Sequence, residues 1–335
     1  MDGRPVLDMR DLTTELIVHG ALRPIVRGMS MTVAAGEVVG LVGESGSGKS
    51  ITARSVLGLL PPGARRTGQV EVLGQDTSIM NPRSLRQVRS EHIGMIFQDP
   101  RAHIDPLWKI DDYVGEGLRQ HKGWSRRDAR SRSRELLASL GIDDPERVLS
   151  SYPGQLSGGM LQRVMIAGAL SCEPDLIIAD EATTALDVTV QSDILAILRD
   201  LQVSRSLALL FITHDLGLAS VLCDKVLVMY AGLPMAVQAA DDLFAAPAHP
   251  YAAALVGARP RTDRKVARLQ VVPGRPASAL DTTSGCPFRP RCTYAVDDCA
   301  QMTPTLLQLE PGVLTECIRA DELRGELRDQ AHADD

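Results

Sequence analysis

The stretch EVVGLVGESGSGKS, residues 37–50, decides the fold of this chain. Residues 37–42 are a mainly apolar run of the kind found in strands that are buried on both faces. A glycine-rich turn follows at once. From Lys49 to Leu60 the apolar residues recur at helical spacing, until Pro61-Pro62-Gly63 ends the pattern. The stretch therefore predicts a strand, a tight loop and a helix, in that order.

Residues 43–50 match the pattern of a phosphate-binding loop in the context that the pattern requires. Glycines let the backbone wrap a polyphosphate, so that successive N–H groups and the helix N-terminus face negative charge. We expect Lys49 to contact the β and γ phosphates of ATP and the Ser50 hydroxyl to bind Mg²⁺. The other predicted nucleotide-binding residues here are Gly43, Glu44, Ser45, Gly46, Ser47, Gly48 and Ile51. The alternative is a glycine-rich turn that binds nothing.

Composition narrows the class of protein. The 335 residues are long enough for one large α/β domain with an appendage, or for two domains. A net charge of -6 leaves no general basic surface, so nucleic acid is not an expected partner. No apolar run approaches the roughly 20 residues of a membrane-spanning helix, and the N-terminus lacks a signal pattern. We therefore expect a cytosolic protein.

Further strands alternate with helical sequence, which predicts an α/β fold with a mainly parallel sheet. The predicted strands cover residues 69–73, 93–97, 176–179, 208–212 and 226–230. Between about residues 100 and 160 the sequence predicts an inserted helical subdomain. Its clearest helix starts at Ser125, with Asp128 as capping partner, and ends before Gly141. We assign residues 1–250 to the main domain and residues 251–335 to a C-terminal extension.

Two carboxylates, Asp180 and Glu181, end the apolar run LIIADE at residues 176–181. Unpaired charge at the end of a buried strand is costly, which predicts a cation nearby. Asp180 would hold Mg²⁺ through water, and Glu181 would polarise the water that attacks the γ-phosphate. Taken alone, the pair would more often be an ordinary solvated turn, but the phosphate-binding loop upstream favours the catalytic interpretation.

Residues 156–163, LSGGMLQR, resemble the signature of the ATP-binding-cassette (ABC) family. The family's other motifs appear in order: Gln98 in FQDP, Asp187 in ALD and His214 in THD. The resemblance covers about residues 30–240. It implies a P-loop NTPase fold of the ABC cassette type, with a parallel sheet core, an antiparallel β subdomain and an inserted helical subdomain.

The resemblance also implies roles for these residues. Two cassettes of the family close head to tail, so the signature residues would contact the nucleotide held by a partner cassette, identical or different. These signature residues are Ser157, Gly158, Gly159 and Gln162. Gln98 would sense the γ-phosphate and Mg²⁺, His214 would stabilise the transition state beside Glu181, and Asp187 would couple the two sites. Arg23 stands where the family often stacks an aromatic ring on adenine.

The C-terminal extension resembles that of peptide-importer ATPases of the oligopeptide and dipeptide type. The resemblance rests on residues 249–251, HPY, and on residues 285–292, GCPFRPRC, followed by Cys299 and Cys317. It implies two transmembrane permeases, an extracytoplasmic substrate-binding protein and a peripheral position at the cytoplasmic face of the inner membrane. Nickel and glutathione importers share much of this architecture, so the cargo stays open between these and peptides.

Four cysteines, Cys286, Cys292, Cys299 and Cys317, can together hold a metal centre. Soft sulfur ligands suit zinc or an iron–sulfur cluster. The gaps are long and include no C-x-x-C pair, and with the resemblance this favours a [4Fe-4S] cluster over zinc. The alternative without metal is that these cysteines act as small hydrophobic residues.

A second functional class also remains, namely a cassette ATPase that acts on nucleic acid or ribosomes. Such proteins usually carry two cassettes in one chain or long coiled-coil inserts. This sequence has one copy of each motif and no such insert. The importer hypothesis is therefore preferred.

Overall fold

The structure is a computed structural model in which residues 4–182, 188–259, 271–281 and 284–332 are described. Asp187, predicted to couple two sites, lies outside these ranges. The strands are β1 (Leu7–Val18), β2 (Ala21–Val33), β3 (Val38–Val42), β4 (Arg65–Val72), β5 (Gln75–Asp76), β6 (Ile93–Ile96), β7 (Leu176–Asp180), β8 (Ala208–Thr213), β9 (Lys225–Tyr230), β10 (Leu233–Ala239), β11 (Leu307–Glu310) and β12 (Val313–Thr315).

The α-helices alternate with these strands over much of the chain. They are α1 (Lys49–Leu57), α2 (Pro82–His92), α3 (Pro100–His103), α4 (Ile110–His121), α5 (Arg126–Ser139), α6 (Pro145–Ser150), α7 (Gly158–Leu170), α8 (Val188–Arg205), α9 (Leu216–Leu222), α10 (Ala240–Ala245), α11 (Pro250–Gly257) and α12 (Arg324–Ala331). Short 3₁₀ turns cover Pro153–Gln155, Arg289–Arg291 and Asp297–Ala300. Among the described residues, no helix is both long and apolar enough to cross a membrane.

The chain forms two compact units, each built from separate segments. The first contains residues 1–7, 32–37 and 71–212, and the second contains residues 8–31, 38–70 and 213–335. Helix α11, at the predicted domain boundary near residue 250, belongs to the same unit as the glycine-rich loop. The boundary itself remains a prediction.

The first unit is built on parallel strands and a helical insert. Strands β6, β7 and β8 pair in parallel, with Leu176 opposite both Ile93 and Ala208. Every residue of β7 and β8 is buried, as their apolar sequences predict. Helices α4, α5, α6 and α7 pack on one another. The parallel strands and the inserted helical subdomain predicted from the sequence are therefore confirmed.

The second unit combines a sheet with the C-terminal extension. Strand β3 pairs in parallel with β9, and β10 and then β12 and β11 continue the sheet in antiparallel fashion. Strands β2, β1 and β4 lie side by side in a separate sheet. The extension thus contributes two strands, β11 and β12, to the sheet that contains β3.

Helix ends follow their capping residues. Ser125 caps α5 as predicted, because its Oγ accepts a hydrogen bond from the Asp128 N–H at 3.2 Å. Helix α1 ends at Leu57, three residues before the predicted end at Leu60. Gly58 adopts the left-handed conformation at φ 63° and the next N–H, of Leu59, bonds back to the carbonyl of Arg54. The glycine, and not the prolines after it, terminates the helix.

Candidate functional site

The glycine-rich loop follows β3 and opens α1, as predicted. Lys49 is 5% exposed, and its Nζ donates to the carbonyl oxygens of Gly43 and Glu44 at 2.7 and 3.0 Å. A side chain at position 43 would place its Cβ 2.1 Å from the carbonyl oxygen of Met229. Gly48 has φ 108°, a value that favours glycine. The loop therefore curls around the lysine ammonium, as a phosphate-binding loop requires.

Two predicted catalytic residues meet in the first unit. Gln98 follows β6, Glu181 follows β7, and these strands are parallel neighbours, so both side chains emerge at the same sheet edge. The Gln98 Nε2 donates to the Glu181 Oε2 at 3.0 Å. Glu181 has φ 50°, a strained value for a non-glycine residue, and its N–H bonds the Ile212 carbonyl at 2.9 Å. Asp180 beside it is buried, at 6% exposure.

The signature segment starts α7. Ser157 is the N-cap residue, and its Oγ accepts from the Met160 N–H at 3.3 Å. Ser157 and Gly158 are exposed and Gly159 is half-buried, so this end of the helix is accessible to another molecule. Gln162 differs, because it is 1% exposed and its Nε2 has no hydrogen-bond partner among the described residues. Its role as a nucleotide contact remains a prediction.

His214 and Arg23 lie on exposed positions of the second unit. His214 directly follows β8, and Asp215 after it caps α9 by accepting from the N–H groups of Gly217 and Leu218. Arg23 is exposed on β2. The contacts of these two residues with nucleotide remain predictions.

The four predicted cysteine ligands line one small cavity in the extension, together with apolar side chains such as Phe288 and Leu323. The Cys286 N–H bonds the Cys299 carbonyl at 2.8 Å, which brings two distant parts of the segment together. This approach requires glycine at position 285, since a Cβ there would lie 2.4 Å from the Cys299 carbonyl oxygen. The sequence-based prediction that the four cysteines cluster is thus supported by their placement.

Burial raises the pKa of the Cys286 thiol, and burial also raises the pKa of Cys292 and brings that of Cys317 to about 12. Since a cysteine binds metal as the thiolate, a metal must displace these protons. No three of the four cysteine sulfurs all lie within 4.8 Å of one another in the described part of the chain.

His249, Cys286 and Glu316 do have ligand atoms within 4.8 Å of one another. The His249 Nδ1 accepts from the Tyr251 N–H at 2.9 Å and so caps α11. The proton must then sit on Nε2, which lies 3.3 Å from the Glu316 Oε2 and donates to it. Both ring nitrogens are thus engaged in hydrogen bonds, and we assign His249 a structural role.

Sequence reasoning missed the contacts that the extension makes with Glu44 of the glycine-rich loop. The Tyr251 hydroxyl accepts from the Glu44 N–H at 3.0 Å, and Arg291 forms an ion pair with the Glu44 carboxylate at 2.6 Å. Tyr251 and Arg291 belong to the HPY and CPFRPRC segments, which the sequence analysis had singled out. The local pattern of these segments does not indicate a contact with a loop more than 200 residues earlier.

Comparison with known proteins agrees with these features. The family described as ABC transporter matches residues 26–184, and the family described as oligopeptide/dipeptide transporter, C-terminal region, matches residues 237–299. A dimeric bacterial ABC transporter cassette aligns with a TM-score of 0.61 at 27% identity, covering 68% of this chain and 95% of that one. The same cassette in a dimeric post-hydrolysis state, bound to ADP and phosphate, aligns with a TM-score of 0.63 at 26% identity, covering 70% and 98%.

Curated relatives match over nearly the whole chain. The oligopeptide transport ATP-binding protein OppD of Salmonella typhimurium is 41% identical, covering 95% of this chain and 94% of its own. The dipeptide transport ATP-binding protein DppD of Bacillus subtilis is 40% identical, covering 89% and 90%. With the loop, the signature and the cysteine extension all in place, the chain belongs to the ABC transporter family, in its branch of oligopeptide and dipeptide ATP-binding proteins.

Proposed function

We propose that this chain is the ATP-binding and ATP-hydrolysing subunit of an importer for dipeptides or oligopeptides. The observation that carries the proposal is the buried Lys49 inside the curled loop of residues 43–48, in a chain whose relatives are named as peptide transport proteins. A triphosphate would replace the loop carbonyls as the partner of the lysine ammonium.

The residues around Glu181 suit a water-activating role. The Gln98 amide nitrogen is bonded to the Glu181 carboxylate, so its amide oxygen is the end available to a cation. The Ser50 hydroxyl and the Asp180 carboxylate are the other oxygen donors that we propose for Mg²⁺, a cation that prefers oxygen ligands. Mg²⁺ would neutralise charge on the phosphate oxygens. Glu181 would orient and polarise the attacking water, and His214 would contact the γ-phosphate.

Other chains would complete the proposed importer. The exposed Ser157 and Gly158, together with Gly159, would contact the γ-phosphate held by a second cassette, which places half of each site in each chain. Two membrane permeases and an extracytoplasmic binding protein would supply the pathway and the cargo. The subunit would then lie at the cytoplasmic face of the inner membrane.

Exchange of Glu181 tests the proposed hydrolysis. We expect Glu181→Gln to lower ATP turnover by about 100-fold or more, because the amide cannot act as a general base, and to leave nucleotide binding intact. The matched control is Glu135→Gln, which neutralises an exposed carboxylate on α5. Turnover in Glu181→Gln close to that of the control would refute the assigned role.

We also propose a [4Fe-4S] cluster bound by Cys286, Cys292, Cys299 and Cys317. Support for a shared metal centre comes from the single cavity that the four cysteines line, and soft sulfur ligands suit a four-iron cluster. The cluster would supply crosslinks within a proline-rich segment that has little core of its own. Anaerobically purified protein that holds zinc and no iron would contradict the proposal.

A further inference from the structure

Arg291 and Glu44 form a bidentate ion pair across 247 residues of sequence. The Arg291 Nη1 lies 2.6 Å from the Glu44 Oε2, and Nη2 lies 3.1 Å from Oε1. The Arg291 side chain is 5% exposed and that of Glu44 is 22% exposed. Two parallel hydrogen bonds between a guanidinium and a carboxylate fix the relative orientation of the two groups, in addition to pairing their charges. The pair is therefore more specific than an exposed surface ion pair.

The guanidinium of Arg291 is held firmly on its own side. Its Nε donates to the Pro273 carbonyl at 2.6 Å, and Nη1 also donates to the Tyr230 hydroxyl at 3.2 Å. The guanidinium carbon lies 5.7 and 5.8 Å from the ring centres of Tyr230 and Phe288. Because these partners belong to the extension and to β9, Arg291 is a fixed group toward which Glu44 is drawn.

Glu44 receives three contacts from three directions. Its carboxylate binds Arg291, its N–H donates to the Tyr251 hydroxyl, and its carbonyl accepts from Lys49. Burial raises the pKa of Tyr251, so its hydroxyl stays protonated and accepts through oxygen. Two of the three contacts come from the C-terminal extension. The extension thus sets both the side-chain and the backbone position of one loop residue.

An acidic residue in a loop that binds a triphosphate is electrostatically unfavourable. Without Arg291, the half-buried Glu44 carboxylate would carry an uncompensated charge next to the phosphates. We propose that Arg291 is a positioning residue for the phosphate-binding loop: it neutralises Glu44, holds that carboxylate away from the nucleotide, and ties the loop to the cysteine segment. The proposal rests on the proposed nucleotide site at residues 43–50.

Arg291 also lies one residue before Cys292 and within the 3₁₀ turn Arg289–Arg291. Any change that unfolds the cysteine segment must therefore displace the guanidinium from Glu44. Through this pair, the nucleotide site responds to the integrity of the extension.

The test compares Arg291→Gln with Arg289→Gln, which removes the same charge from an exposed position of the same turn. Binding of a non-hydrolysable ATP analogue with Mg²⁺ is measured by calorimetry, and folding by thermal melting. We expect Arg291→Gln to weaken binding about tenfold and Arg289→Gln to change it less than about twofold. Arg291→Lys should fall between them, because it keeps the charge and loses the paired contact.

The double variant Glu44→Gln with Arg291→Gln separates positioning from a general loss of stability. We expect it to bind the analogue at least as tightly as Arg291→Gln alone, since an uncharged side chain at position 44 no longer repels phosphate. Wild-type affinity in a folded Arg291→Gln protein would overturn the proposal. The proposal would also be overturned if the loss of affinity in the double variant equals the sum of the losses in Glu44→Gln and in Arg291→Gln measured separately. If Arg291→Gln does not fold, Arg291→Lys decides, and wild-type affinity in that variant overturns the proposal.

Lys49→Ala distinguishes failure of this proposal from failure of the nucleotide site. It should abolish analogue binding whatever residue stands at position 291. Retained binding in Lys49→Ala would refute the site itself.

Discussion

At the scale of single residues, the proposed catalytic role of Glu181 depends on how its side chain and backbone are held. Its strained φ of 50° is kept by the N–H bond to Ile212, and its carboxylate is held by Gln98. Strain at one residue persists when neighbours fix it on both sides. The Gln98 amide is therefore part of what aims the proposed base, and not just a sensor of nucleotide.

Removal of the Gln98 side chain tests whether its amide orients Glu181. We expect Gln98→Ala to lower ATP turnover by about 10- to 100-fold with a small effect on nucleotide affinity, because the carboxylate loses its orienting donor. Gln87→Ala is the control, since Gln87 is exposed and bonds only to Glu91 of the same helix, α2, among the bonds of its side chain in the described residues. Steady-state turnover together with analogue binding makes the measurement. A loss confined to affinity would contradict an orienting role.

At the scale of elements, local pattern predicted much of the structure. The strands near residues 93, 176, 208 and 226, the loop after β3 and the cap at Ser125 all appear where the periodicity and turn residues placed them. The end of α1 was predicted three residues too late because the left-handed Gly58 was not recognised as a cap.

Contacts between distant elements could not be predicted in this way. The family resemblance implied a nucleotide-site role for Gln98 and for Glu181, but the hydrogen bond between the two side chains was not predicted. The Arg291–Glu44 pair had no such guide. Side chains that meet across 247 residues leave no local periodicity, so an arginine in a proline-rich turn looks like an ordinary solvated residue.

The cysteine segment is the element whose proposed metal can be tested directly. We expect Cys292→Ser to lose the visible absorption and most of the iron of anaerobically purified protein, because one of four thiolate ligands is removed. Cys172→Ser, which changes a half-buried cysteine just after α7, should keep both. The thermal midpoint should also fall in Cys292→Ser, since the segment loses its crosslink.

Equal iron content in the two variants would argue against the four-cysteine cluster. Absence of iron from the unmodified protein, with zinc in its place, would do the same.

At the scale of the whole molecule, one chain carries an intact glycine-rich loop, the proposed catalytic carboxylate of Glu181 and the signature segment. It would thus offer hydrolysing residues to one nucleotide and an exposed Ser157 to a partner's nucleotide. Hydrolysis should therefore depend on assembly, and assembly on the permeases. In a nucleic-acid-dependent ATPase, hydrolysis would instead depend on added DNA or RNA.

The most direct measurement is ATP turnover by this chain assembled with its partner cassette and permeases in lipid vesicles. We expect the peptide-loaded binding protein to stimulate turnover several-fold, DNA or RNA to give no stimulation, and Glu181→Gln to remove the stimulated rate. If a binding protein loaded with nickel or glutathione stimulates turnover and the peptide-loaded one does not, the cargo would be nickel or glutathione. Turnover that does not change with the binding protein and rises with nucleic acid alone would contradict the proposed importer function.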